Sequence, residues 1–406
     1  MSTDSGRMLA AAAALGLVLA GPVAAQRYSG LGVTDTEIRI GQTMPYSGPI
    51  SAYGTIGRAQ LAYFEMLNRK GGVNGRKIRL ISLDDAFSPP KTVEQTRRLV
   101  EADEVLLIFS SLGSPTNSAI YKYLNAKKVP HLFAITGAAK FEDPKHYPWT
   151  MRWHPGYQAE AAIYARYILQ TNPRAKIAVL YQNDDFGKEY LKGFKDGLGP
   201  AAKQIVAEAS YEPTDPSVGS QVLTLKASGA DTLADFSTAK AAAQAIREAH
   251  DKGWKPLHVV SQVATSLTGV LQPAGLDKSV GLISSAYYKD PSDPRWANDP
   301  ALAAWRVWMK RYYPAGDPTD GQNVLGYTIA QALVTVLEQC GDDLTRDNVM
   351  RQATRLQGVE LPLLLPGIRM TTGASDYAPF DQLWLQRFDG RQWTLFGDAM
   401  GPAAAQ

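Results

Sequence analysis

From residue 37 onward, apolar strand-like runs alternate with amphipathic helix-like runs, and this alternation constrains the fold more than any single motif. EIRIGQTM reads as a strand, and 53–69 reads as a helix with Ile56, Ala59, Tyr63, Met66 and Leu67 on one face. GGVNG is a turn of residues that tolerate positive φ. KIRLISLDD is the next strand; a helix after Pro89-Pro90, the run VLLIF (105–109), another helix and VPHLFAI follow. Parallel strands need a long crossover, usually a helix, so repeated β-α units predict a parallel, doubly wound sheet.

The segment DPKHYPWTMRWHPGYQ has no period and reads as a crossover. Alternation then restarts. Helices are predicted at 159–170, 188–198, 218–228 and 240–252, interleaved with the strands KIAVLYQ, QIVAEASY, DTLADFS and LHVVSQ. VGLISSAYY (280–288) is a further strand, and helices follow at 301–311, 323–340 and 346–356. The chain ends in a hairpin, QLWLQRF and RQWTLFG around Asp389-Gly390. The expected fold class is therefore α/β, with two doubly wound Rossmann-like lobes. Ligands of such sheets bind beyond the carboxyl ends of the strands, so two facing lobes make a cleft.

The first residues follow another logic. Arg7 precedes an apolar run at 8–20, and Val23 and Ala25 fit the small-residue pattern before a cleavage point. Residues 1–25 are read as a signal peptide cut near Ala25. A membrane anchor is the rival reading, but the run is too short and is broken by Gly21-Pro22. The 406 residues are 45% hydrophobic and 20% charged, enough for two domains with real cores. The net charge of +3 comes from scattered basic residues and gives no reason to expect nucleic acid or an anionic membrane as partner. Cys340 is the only cysteine, so there is no disulfide framework, and in a late apolar helix it reads as a small buried hydrophobe. A soluble periplasmic protein fits these features.

Several chemistries lack their signatures. The first strand–helix turn is MPYSGPISAYG, not the G-x-G-x-x-G of a dinucleotide site, and neither a Walker sequence nor a G-x-S-x-G elbow occurs. His131, His146, His154, His250 and His258 show no metal-ligand spacing. Asp84-Asp85 and Asp184-Asp185 end strands and read best as turn and cap carboxylates. No catalytic residue, cofactor or metal is expected.

FSSLGSPTN (109–117) ends a buried strand in small hydroxyl residues and starts a helix with Ser114-Pro115. Plain capping, with Ser114 as N-cap and Pro115 at the first helical position, explains it. So does anion binding, because a helix N-terminus leaves N–H groups free.

Five pieces then point to a family: IGQTMPYSGPISAYG, NRKGGVNGRKIRLISLDD, GSPTN, LYQNDDFGKEYLKGFKDGL and LQPAGLDKSVGLISS. From about Ile38 to Gly397 the chain resembles the type I periplasmic binding proteins, specifically the leucine-binding-protein-like group for branched-chain amino acids and amides that serves ABC importers. The resemblance implies two lobes joined by three crossovers, closing on a ligand by a hinge: 27–153 plus 288–360 as the first lobe, 154–287 plus 361–400 as the second. It also answers the question of the Ser-Pro turn. In the family the ligand carboxylate is held by two first-lobe turns, matched here by Gly113 and Ser114 and by Thr136, Gly137 and Ala138; Thr136 as a cap of its own turn is the equal alternative. Tyr53 matches an aromatic over the ligand side chain, with a staple on the first helix as the rival reading. Phe186 matches an aromatic of the second-lobe wall; Asp185 beside it is a ligand candidate or a cap.

One departure matters. Amino-acid binders of this family hold the α-ammonium with a second-lobe carboxylate; here that turn reads VVSQVATS, with Gln262 and Val263 in place. Ser237 and Thr238 stand where the family often has an aromatic. A buried ammonium without a carboxylate costs several kcal/mol. The expected ligand is thus a small carboxylate, aromatic or aliphatic, without an α-amino group; amides or urea are the alternative. The expected function is an ABC importer's solute-binding component, monomeric, with a permease and ATPase as partners. A periplasmic sensor domain of the same fold is the second reading.

Overall fold

The computed structural model describes residues 28–401, so the predicted signal segment lies outside the described residues. In chain order the elements are β1 (Glu37–Met44), α1 (Gly54–Arg69), β2 (Lys77–Asp84), α2 (Pro89–Arg97), β3 (Ile108–Phe109), α3 (Ser114–Ala126), β4 (His131–Ala134), β5 (Thr150–Arg152), α4 (Tyr157–Thr171), β6 (Ile177–Gln182) and α5 (Asp185–Leu198). Then come β7 (Ile205–Tyr211), α6 (Gly219–Ala227), β8 (Thr232–Phe236), α7 (Ala239–Asp251), β9 (Leu257–Val260), the single turn α8 (Gln272–Ala274) and β10 (Ile283–Ala286). The chain finishes with α9 (Pro300–Tyr312), α10 (Gly321–Cys340), α11 (Arg346–Ala353), β11 (Leu383–Phe388) and β12 (Trp393–Met400).

The strands form two sheets. The first has five parallel strands in the order β2-β1-β3-β4-β5. The second has seven, β12-β11-β10-β9-β8-β6-β7, parallel except for the antiparallel β11 and β12. The chain passes between the sheets three times: after β5, after β10 and before β11. The fold is therefore α/β with two doubly wound lobes and three connections between them.

Strands buried on both faces carry unbroken apolar runs, and every residue of β8 is buried. α1 buries the expected Ile56, Ala59, Tyr63 and Met66, with Leu67 packed at the margin. The late helices return to the first lobe. α10 crosses α1 so closely that a Cβ on Gly326 would meet the Ile56 carbonyl oxygen at 2.6 Å. Tyr327 packs edge-on to Tyr63 with ring centres 4.8 Å apart. At the start of α11, Arg346 ties itself to the first sheet by donating to the Val105 and Leu106 carbonyls.

Two local readings need correction. The aperiodic crossover holds β5, a three-residue buried strand between Pro148 and Pro155; its Trp149 carbonyl accepts from the His131 N–H at 2.7 Å. Three residues are too few to show a period. The strand predicted at 280–288 is ladder-paired only over β10.

Replacing Gly326 with valine should force the two helices apart and lower stability by ~1–3 kcal/mol, as overpacking does. Urea denaturation measures this; an unchanged midpoint would show that the crossing has slack.

Candidate functional site

In the first sheet β1 lies between β2 and β3, and in the second β6 lies between β7 and β8. At these two places the winding reverses, and the loops beyond the strands leave a crevice. The two crevices face each other across one cavity, walled by Ile50, Tyr53 and Ile56 after β1, Leu112 to Ser114 after β3, Gln182 and Phe186 after β6, Thr238 after β8, and Gln262 with Val263 after β9. Phe87, Ile135, His154, Tyr157, Gln322 and Leu325 complete it. The space is about 40 Å³. That is room for a few waters.

Tyr53 sits on a single 3₁₀ turn and is 6% exposed. Its hydroxyl donates to the Val263 carbonyl at 2.9 Å and accepts from the Ala239 N–H at 3.0 Å, so this first-lobe side chain is bonded to two second-lobe backbones. Gly113, at φ 107°, is the N-cap of α3, not Ser114. A side chain there would need a disfavoured backbone and would collide with Phe87, 2.4 Å from the added Cβ. Ser114 is the first helical residue, and its hydroxyl lies on the cavity wall, 2.8 Å from the Thr136 hydroxyl.

The turn at Thr136, Gly137 and Ala138 stands behind Ser114 and outside the cavity wall. The Ala138 N–H donates to Thr136 Oγ1 at 3.1 Å, which is the local cap. The Gly137 carbonyl accepts from Tyr157 N–H at 2.9 Å. Thr136 thus supports Ser114, and Gly137 packs so closely on 155–157 that an added Cβ would meet the Pro155 carbonyl oxygen at 2.3 Å.

Across the cleft, Asp184 caps α5 by accepting from the Phe186 and Gly187 N–H groups at 2.9 and 3.3 Å. Phe186 forms wall and meets Tyr157 edge-on at 5.2 Å. Asp185 neither caps nor lines the cavity. Its carboxylate accepts from Ser118 at 2.6 Å and Lys140 at 2.7 Å, both on the first lobe. Partial burial raises its pKa, but these two partners and the Lys140 charge hold it below the usual range. Thr238 donates to Gln182 Oε1 at 2.9 Å, and Tyr211 braces the same pair. Val263 contributes side chain to the wall and carbonyl to Tyr53. Gln262 is 3% exposed, and its side-chain Nε2 has no partner.

Beneath that wall lies a residue the sequence did not signal. Glu160, on α4 and fully buried, accepts from Tyr164 at 2.6 Å, from Tyr190 at 2.8 Å and from the Gln262 N–H at 2.9 Å. Burial pushes its pKa up to about 7 against the pull of these bonds. Tyr190 in turn stacks on Tyr157 at 4.6 Å and on Phe236 at 5.0 Å. His154 and Tyr157 come from the aperiodic crossover, where nothing in the spacing marks them. No Asp, Glu, Lys or Arg lines the cavity among the described residues. Burial, with help from the Arg152 charge, drops the His154 pKa to about 3, so it is neutral. Among the described residues no cluster of His, Cys, Asp and Glu could hold a metal, and no helix is long and apolar enough to cross a membrane.

A two-lobed cleft of this kind, apolar over most of its wall and provided with neutral hydrogen-bonding groups, defines a small-molecule binding protein. The model of the periplasmic binding protein family matches residues 37–392, and the chain belongs to that family. A Leu/Ile/Val-binding protein homolog 7 from Brucella abortus (strain 2308) is 28% identical over 323 residues, 77% of this chain and 79% of the relative. The crystal structure of a branched-chain amino acid ABC transporter from Thermus thermophilus with bound valine has a TM-score of 0.82 at 14% identity, covering 91% of this chain and 98% of that one. A fatty acid ABC transporter substrate-binding protein from Thermomonospora curvata has a TM-score of 0.75 at 23% identity, covering 93% and 95%. At these identities the structural likenesses show the fold.

Two outcomes follow from the wall. Tyr53→Phe removes two bonds that exist only while the lobes touch; ligand affinity should fall by ~1–3 kcal/mol while the melting temperature of the ligand-free protein changes little. Equal affinity in calorimetry would show that Tyr53 does not hold the cleft shut. Glu160 supplies a pH test. Its folded pKa is raised above the unfolded value of 4.5 to about 7, so the folded state keeps a proton that the unfolded chain loses between those values. The wild type should therefore lose stability relative to Glu160→Gln as pH rises from about 4.5 to about 7, by up to ~1.4 kcal/mol per pH unit. Parallel denaturation curves for the two proteins across that window would count against a buried, titrating Glu160.

Proposed function

We propose that this chain is the solute-binding component of an ABC importer, exported to the periplasm after cleavage near Ala25, and that it delivers a small carboxylate without an α-amino group to a membrane permease and its ATPase. The lobes hinge at the three crossings and close on the ligand. The observation that carries the ligand class is the composition of the cavity wall: among the described residues no carboxylate lines the cavity, so an α-ammonium has no counter-charge there. Glu160 lies beneath the wall, and its oxygens are engaged by Tyr164, Tyr190 and the Gln262 backbone. An anion, by contrast, is stabilised by neutral donors such as the Ser114 hydroxyl, much as helix N-termini and oriented N–H groups hold carboxylates elsewhere. Ile50, Ile56, Leu112, Ile135, Val263 and Leu325 suit an apolar ligand body.

The test is isothermal titration of the mature protein with 4-methylpentanoate and with leucine, which share a side chain and differ in the amine. The acid should bind, and leucine should bind about 100-fold or more weakly, since an unpaired buried ammonium costs several kcal/mol. Val263→Glu should weaken the acid further by repulsion. Tight leucine binding by the wild type would overturn this reading.

A further inference from the structure

His154 lies on the cavity wall, 2% exposed, in a segment to which neither the fold nor the family likeness assigns a ligand contact. Its ring is held by a short relay. Trp153 Nε1, which can only donate, lies 3.0 Å from the Tyr287 hydroxyl oxygen. Tyr287 is buried, and its own O–H needs an acceptor; His154 Nδ1 stands 2.9 Å away. With Nδ1 accepting, the imidazole proton sits on Nε2. Among the described residues no bond from Nε2 to the protein occurs, although the ring is otherwise enclosed. A donor left free at His154 Nε2, on the wall of a mostly apolar cavity, suits an acceptor group held between the lobes.

We propose that His154 is a ligand-binding residue, its Nε2–H donating to the ligand carboxylate, with Trp153 and Tyr287 as positioning residues that fix the tautomer. The inference rests on the carboxylate reading above and deepens it. The head group is then met by neutral donors from two parts of the chain, Ser114 and His154, and no proton is taken up or lost when the anion binds. A carboxamide offers one acceptor oxygen and an N–H₂ in place of the second, so one of these donors would face a donor. The same arrangement therefore favours the acid over its amide.

The test is ¹⁵N-histidine NMR of the full mature protein, alone and with 4-methylpentanoate or benzoate, with calorimetry on three variants. The chain has five histidines, and loss of a signal in His154→Gln assigns the resonance. In the ligand-free protein Nε2 should carry the proton and Nδ1 should not; the Nε2–H signal should move downfield when the acid binds. His154→Phe should weaken the acid about tenfold or more, and His154→Gln, which puts an amide donor at similar reach, should restore most of the loss. Tyr287→Phe should leave a tautomer mixture and an intermediate affinity. A proton on Nδ1 in the wild type overturns the relay. Acid binding by His154→Phe at wild-type strength overturns the ligand role while leaving the carboxylate reading intact. Failure of both acids to bind the wild type overturns the carboxylate reading itself, and the ligand-free tautomer still decides the relay.

Discussion

The second-lobe wall of the cleft depends on one buried carboxylate. Glu160 joins α4 to α5 through Tyr190 and to the turn after β9 through the Gln262 N–H. Through Tyr164, whose hydroxyl also lies 2.9 Å from Ser285, it reaches the β10 strand. Four elements thus converge on two oxygens. A buried carboxyl survives only where its lone pairs are satisfied, and here the donors that satisfy it are the side chains and backbone that shape the binding wall. The Gln262 backbone is committed to Glu160, while its buried side-chain Nε2 finds no partner among the described residues.

The contacts between the lobes are few and of unequal kind. The Tyr53 hydroxyl, fully enclosed, bonds two backbone groups of the opposite lobe. Asp185 pairs with Lys140 across the cleft mouth, both half-exposed, where an ion pair is worth ~0–1 kcal/mol. Asp320, the N-cap of α10, accepts from Ser266 at 3.0 Å and Thr268 at 3.3 Å on the far side of the cavity. If the lobes hinge as proposed, such a set would align them and leave a ligand a large share of the closing free energy. A cleft that stayed shut on its own would bind slowly and would reduce the difference between loaded and empty forms.

How much of this was legible beforehand divides along physical lines. The alternation of runs gave the two lobes and nearly every helix, because burial on a parallel sheet imposes apolar runs that a single sequence displays directly. The Asp389-Gly390 hairpin was equally plain, since few dipeptides make that turn. Position around a turn was harder. Ser114 looked like a cap, yet Gly113 takes that place because the backbone there adopts positive φ, which the residue types nearby do not announce. Thr136 was one of two open readings, and it bonds its own turn. Asp185 was read as ligand or cap; its partners, Ser118 and Lys140, lie far away in sequence and meet it only because the lobes face each other. His154 is marked in the sequence only by its lack of metal spacing, and Tyr157 and Glu160 not at all, for the same reason: their surroundings come from tertiary neighbours.

The missing counter-charge on the cavity wall and the neutrality of His154 belong together. A cationic partner would hold an anion more strongly, but burying it would cost several kcal/mol whenever the cleft closed empty. Neutral donors would carry a smaller penalty, and on the proposed reading His154 and Ser114 are already held by Tyr287 and Thr136. On the carboxylate reading proposed above, an α-ammonium would meet only neutral acceptors and no counter-charge, whereas a carboxylate would take bonds from the neutral donors. Selection for the acid over the amino acid would then rest on the missing carboxylate of the wall. The aliphatic side chains opposite, from Ile50 and Ile56 to Leu325, set the size of the body that such an anion can carry.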